Sequence, residues 1–152
     1  MIFLRNYFLN TTPEVDVLSV IHEVTRTIRE SAASEGLVTI SVPAPGGALA
    51  ILEPLPDIIA KFKEAIRIFP GENEQTKNRR KEEVLVGPRV VAAILGKSLS
   101  IPFKDGRLLL APREEPVLVD LERKGLRREF YVQVVGADMR QQGRVPQQMA
   151  RR

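Results

Sequence analysis

Proline and glycine cut this chain at short intervals, and that punctuation limits the size of everything it can build. Breaks fall at Pro13, Gly36, Pro43-Ala44-Pro45-Gly46-Gly47, Pro54, Pro56, Pro70-Gly71 and Gly96. A run such as Pro43 to Gly47 cannot continue a β ladder and has to turn. No apolar stretch between breaks reaches the roughly 18 residues of a membrane helix.

Hydrophobic periodicity then divides the pieces into two kinds. Residues 1–10 read as a first strand that stops at Thr11-Thr12-Pro13. From Glu14 two readings stay open: a long helix capped by Thr12 and Pro13, or a short strand through Val15, Val17 and Leu18 with the helix starting near Ser19. On either reading 21–33 is helical, because Ile21, Val24 and Ile28 recur at three and four, and Gly36 is expected to stop it. Residues 37–42 and 48–52 are short strands. After Asp57 a second helix places Ile58, Ile59, Phe62, Ala65, Ile66 and Phe69 on one side, and Pro70-Gly71 ends it.

Residues 71–83, GENEQTKNRRKEE, hold no hydrophobic side chain and are expected to form an exposed, mobile loop. Beyond it the pattern predicts β structure: 90–95 closed by Gly96, then 98–103, a turn at Lys104-Asp105-Gly106, and 107–110. Residues 117–121 and 130–135 are expected to pair with each other across Arg123-Lys124-Gly125. Strands around two main helices, with no internal repeat, give a single α+β domain of largely antiparallel sheets over 3–136, followed by a basic tail over 137–152 expected to fray.

Composition narrows the chemistry. With 152 residues the chain buries about 70% of its surface on folding, enough for a core without covalent staples. There is no cysteine, which excludes disulfides, thiolate zinc sites and cysteine nucleophiles. The single histidine, His22, stands beside Arg26 and Arg29 at i+4 and i+7 and reads as a surface residue. The first ten residues are too short and too interrupted by Arg5, Asn6 and Asn10 for a signal peptide, so the expected setting is cytoplasmic, with no membrane contact. A net charge of +4 is modest. Lys77-Asn78-Arg79-Arg80-Lys81 is a basic cluster, but four glutamates surround it and no aromatic is interleaved for base stacking, so it reads as a solvated loop and nucleic acid is not the expected partner. The Pro43 to Gly47 segment lacks the spacing and the lysine of a phosphate loop.

Several phrases together resemble the YjbQ-like family, also described as secondary thiamine-phosphate synthase enzymes. They are Ser31 to Gly36 followed by LVTISVP, Ala48-Leu49 with Ile51-Leu52-Glu53, VVAAILGKSLSIPFKDGRLLL at 90–110, and RREFYVQVVG at 127–136. The resemblance spans about 3–135. It implies the family's fold, a homotrimer with a pocket near the subunit boundary, and a histidine-rich site. This chain departs from the family at that site. Ala44-Pro45-Gly46 stands where the resemblance leads one to expect a His-Thr-Thr, Arg89 stands at a second histidine position, and 72–83 contain none for a third. Arg113-Glu114 replaces a Trp-Gln pair, and Glu53 alone survives from an Asn-Glu-Asn.

On this resemblance Ala44, Gly46, Gly47, Glu53, Arg89, Arg113 and Glu114 line the pocket that remains, with no metal and no cofactor expected. One reading has Arg and Glu pairing to seal it, Arg89 taking Glu53 or Glu114 as its partner. The other is an anion site, with Arg89 and Arg113 clamping a small phosphorylated ligand and the glycine amides assisting. The functions to weigh are therefore a binding or assembly module without the family's chemistry, a weak thiamine-phosphate synthase-like enzyme, and a nucleic-acid binder using the basic C-terminal surface.

Overall fold

The computed structural model describes residues 1–138. The elements run β1 (Ile2–Asn10), β2 (Asp16–Ser19), α1 (Ile21–Ser31), β3 (Ala33–Ser41), β4 (Gly47–Leu52), α2 (Pro56–Ile66), β5 (Gln75–Lys77), β6 (Glu83–Leu85), α3 (Val86–Leu95), β7 (Ser98–Lys104), β8 (Arg107–Leu108), β9 (Glu115–Asp120) and β10 (Arg127–Asp138). β10 thus runs two residues past the expected domain end, and the rest of the basic tail lies outside the described residues.

A five-stranded sheet has the order β1-β10-β3-β7-β8, a three-stranded sheet the order β2-β9-β4, and β5-β6 forms a separate hairpin. Every pairing is antiparallel, as the α+β reading required. The inner face of the large sheet contributes Val38, Ile40, Ile101, Phe130 and Val132 to a core shared with Val24 and Ile28 of α1 and with Leu49 and Leu118 of the small sheet. The other face of the small sheet, through Ala48, Val117 and Val119, packs on Ile59 and Phe62 of α2 and on Val91 and Leu95 of α3. Covered on both faces, β9 is apolar from Pro116 to Val119, a run that would leave one face wet in an ordinary antiparallel sheet.

Of the two readings from Glu14, the short strand is the one present: β2 ends at Ser19, and the Ser19 Oγ accepts from the Ile21 amide at 3.3 Å while donating to Glu115 at 2.6 Å. The helix also stops earlier than expected. Ala32 adopts a left-handed φ of 59°, and β3 begins at Ala33. Gly36 serves a different purpose, a close crossing inside β3, where a Cβ would lie 2.2 Å from the Val135 carbonyl oxygen.

Four further expectations are corrected. Residues 90–95 are helix, not strand, so α3 is a third helix. A short run that is apolar on every position carries no period, and here Pro88 in the first turn and the Ala92-Ala93 pair favour the helix. β8 is two residues long rather than four. Residues 117–121 and 130–135 do not pair: β9 lies between β2 and β4, whereas β10 lies between β1 and β3. The Arg123-Lys124-Gly125 connection switches sheets and is tied by the Gly125 amide to the Thr12 carbonyl at 3.1 Å. The span 71–83 is not structureless either, since β5 and β6 lie within and beside it. Among the described residues no helix is long and apolar enough to cross a membrane.

Candidate functional site

The Pro43 to Gly47 turn delivers the chain into β4 beside the end of β9, where Asp120 closes the strand and Glu122 follows two residues on. Asp120 and Glu122 are both buried, at 1% and 4% exposure. A buried carboxylate needs partners, and each has an arginine. Arg128, the second residue of β10, donates through Nε to Asp120 at 2.6 Å. Arg89, on the first turns of α3, donates through Nη1 to Glu122 at 2.9 Å and to the Leu85 carbonyl at 3.1 Å. Asp120 also accepts from the Glu122 amide at 2.9 Å, which locks the two acids into one constellation.

A third cation completes it. Lys97, just before β7, places its ammonium on the carbonyl oxygens of Ala44 at 2.5 Å and Gly47 at 3.1 Å. Burial, together with the nearby charges of Arg128 and Arg89, holds its pKa below the ordinary 10.5. Gly46, at φ +70°, lies against Glu122 so closely that a Cβ would sit 2.5 Å from its Cγ and Oε1. The turn therefore has a glycine where the Glu122 side chain passes.

Of the candidate residues from the sequence, Ala44, Gly46, Gly47 and Arg89 are gathered around Glu122 and Lys97. Glu53, Arg113 and Glu114 are not. They stand at the far end of the β4–β9 pair, where Leu52 faces Glu115, about 17 Å from the end where Gly47 faces Asp120. Arg113 is exposed with φ +70°, and Glu114 accepts from the Ala111 amide at 3.1 Å. The partner of Arg89 is Glu122, not Glu53 or Glu114. The Gly47 amide is already committed to the Ala44 carbonyl at 3.1 Å. His22 is exposed.

Lys97, Asp120, Glu122 and Arg128 were missed in the sequence. The signal available was the pair of acids closing a run apolar on both parities, followed within eight residues by Arg128. Among the described residues no group of three or more His, Asp or Glu side chains is placed to hold a metal ion. What the arrangement offers is Arg89, Arg128 and Lys97, with Lys124 at 3.9 Å from Glu122 on the rim, against two carboxylates in a half-buried setting, beside a groove of about 390 Å³ lined by Glu122, Leu85 and Lys124.

A protein-family comparison matches residues 5–137 to the family described as UPF0047 protein YjbQ-like. Solved structures share the fold. A hypothetical protein from Aeropyrum pernix K1 is 22% identical with a TM-score of 0.78, covering 88% of this chain and 98% of its own. A YbjQ-like protein of unknown function from Sulfolobus solfataricus P2 is 16% identical with a TM-score of 0.79, covering 90% and 99%. An uncharacterized conserved protein of the yjbq/upf0047 family from Clostridium acetobutylicum is 19% identical with a TM-score of 0.76, covering 86% and 99%. No curated protein matches the sequence.

Proposed function

The chain belongs to the YjbQ-like family, and on that premise we propose that it is a binding or assembly module in which ion pairs have replaced the histidine chemistry implied by the resemblance. The observation that carries this reading is Glu122, 5% exposed, lying on Gly46 and paired with Arg89 at 2.9 Å. Of two positions where histidines are expected, Arg89 now pairs with this acid and Ala44 accepts from Lys97 through its carbonyl. Glu122 engages Arg89 through Nη1 and offsets its charge, which weakens the guanidinium as a clamp for a phosphate. The reading keeps the cytoplasmic setting expected from the sequence.

The assembly in this proposal is a homotrimer. The outer face of the large sheet carries Ile2, Val135 and Leu37 side by side in register, with Leu4 in the next row, and one protomer leaves them uncovered, Ile2 at 71%. A contiguous apolar strip of this kind is what a second copy covers. Light scattering after gel filtration should give about 51 kDa, three times 17.0 kDa, and a stable 17 kDa species would end the proposal.

A second reading is favoured by one feature, the surplus cation. Among the described residues Lys97 has backbone carbonyls and no carboxylate as its partners, which suits a small phosphorylated ligand of the kind a weak thiamine-phosphate synthase-like enzyme would need. Arg89→Ala separates the two. As a plug, its loss strands the buried Glu122 and lowers stability by about 2 kcal/mol, less than for a fully buried pair because Arg89 is 36% exposed. As a ligand clamp, its loss abolishes phosphate binding by calorimetry and leaves the melting temperature unchanged. We expect the first result.

A further inference from the structure

We propose that the β5–β6 hairpin is a docking element for the phosphate backbone of double-stranded nucleic acid. Its tip carries Lys77, Arg79, Arg80 and Lys81, all exposed. None of the four takes part in an ion pair among the described residues. Glu82 and Glu83 follow on the return side, with Glu83 opposite Lys77, so the tip stays positive.

The sequence alone suggested a mobile, solvated loop, with surrounding glutamates and no interleaved aromatic to favour nucleic acid. The structure organises the four cations around Asn78. Its side-chain oxygen accepts from the Arg80 amide at 2.9 Å and the Glu82 amide at 3.0 Å. Its backbone accepts from Lys81 at 2.9 Å and donates to Glu82 at 3.0 Å. Lys81 turns the chain with φ +63°. The tip backbone is thus satisfied internally, and its cationic side chains are free to face a partner.

The base is fixed as firmly. Val84 is buried, the Gly87 amide donates to the Gly71 carbonyl at 2.9 Å, and Arg123 donates to the Glu72 carbonyl at 3.0 Å. Val84 is the buried residue of β6, and the alternation puts Lys77 on the opposite face, with Gln75, Glu83 and Leu85. Those three line the open groove whose opposite wall is Arg123 and Lys124. The groove is mixed in charge, since Glu83 and Glu122 line it together with Arg123 and Lys124, and Lys124 stands 3.9 Å from Glu122, so the phosphate contacts belong to the tip.

The partner follows from what the hairpin lacks as much as from what it carries. Residues 75–83 contain no apolar side chain, so a protein partner would find no desolvated anchor. They contain no aromatic either, so a single strand would find no stacking platform. Phosphates of a duplex need only cations held at fixed spacing.

Fluorescence anisotropy of the full chain with a labelled DNA duplex of about 20 base pairs tests this. Binding at about 50 mM salt should weaken with a log–log slope near −3.5, the value for about four phosphate contacts. The Arg79→Glu, Arg80→Glu, Lys81→Glu variant, which leaves Asn78 in place, should lose affinity by roughly tenfold or more at an unchanged melting temperature. Arg140→Ser, Arg144→Ser, Arg151→Ser, Arg152→Ser should keep it. The proposal is overturned if the wild type does not bind at that salt, if the hairpin variant binds as the wild type does, if the tail variant loses binding, or if poly-L-glutamate competes as tightly as the duplex, which would make the partner an acidic protein.

Discussion

Arg128 and Asp120 form an ion pair that crosses between the two sheets. The guanidinium Nε meets the carboxylate at 2.6 Å, with side chains 7% and 2% exposed. Arg128 belongs to β10 in the five-stranded sheet, and Asp120 ends β9 in the three-stranded sheet. Cα pairing never joins β9 to β10, so this polar contact stands where the chain passes from one sheet to the other.

Breaking one side of such a pair is far more costly than removing both. Arg128→Leu leaves Asp120 buried and uncompensated, and it should lower unfolding free energy by about 4 kcal/mol. Adding Asp120→Asn removes the charge while keeping the oxygen that accepts the Glu122 amide, so the double variant should recover most of that loss. Chemical denaturation of the three proteins gives the comparison. A single-variant cost below about 1 kcal/mol would mean that water already reaches the pair.

The large sheet was legible because its strands alternate. β1, β3, β7 and β10 each place one parity in the core, and Val38, Ile40, Ile101 and Phe130 could be read off as inward. α3 and β9 were not, for a shared reason. Both are apolar on consecutive positions, one because it packs on a sheet and still leaves Val90 and Ile94 exposed, the other because it is covered on both faces. A run without a period does not declare its period, and the pairing of β9 depended on that choice.

Gly46 and Gly106 separate backbone strain from crowding. Both have positive φ, +70° and +75°, but a Cβ on Gly106 meets nothing within 4 Å, while one on Gly46 meets Glu122 at 2.5 Å. Gly106→Ala should therefore cost only the left-handed conformation, about 1 kcal/mol. Gly46→Ala should cost about 3 kcal/mol, because Glu122 must also leave Arg89. Equal melting temperatures for the two variants would show that Glu122 has room to move, and the sealed reading of the site would fall with it.

Half of the candidate site was visible in sequence, the half that departs from the resemblance. Ala44 and Arg89 were recognised as replacements, yet nothing in one sequence states that Glu122 lies 33 positions from Arg89 and touches it. Glu53 and Glu114 were plausible partners only because they are acids near the right phrases. The antiparallel register of β4 on β9 carries them to the opposite end of the sheet.

Lys97 gives the site a pH signature with a definite sign. Burial, then Arg128 and Arg89, hold its folded pKa below 10.5, so on raising the pH the native protein releases this proton before the unfolded chain does. Between the two pKa values the unfolded state binds more protons, and stability contributed by this group rises with pH. Tyr131 works the other way. Its hydroxyl donates to Glu129, which raises its pKa above 10.0, so its contribution is lost as pH climbs above that value. Both titrations occur in the wild type, but only the first disappears in Lys97→Met, which also loses the bonds to the Ala44 and Gly47 carbonyls and starts from a lower stability. The quantity to follow is the difference in unfolding free energy between wild type and Lys97→Met, measured in denaturant from neutral pH up to about 10, in which the contribution of Tyr131 cancels. That difference should grow in favour of the wild type as the pH rises. A difference that stays flat or shrinks would place the Lys97 ammonium in ordinary solvent, away from Arg128 and Arg89.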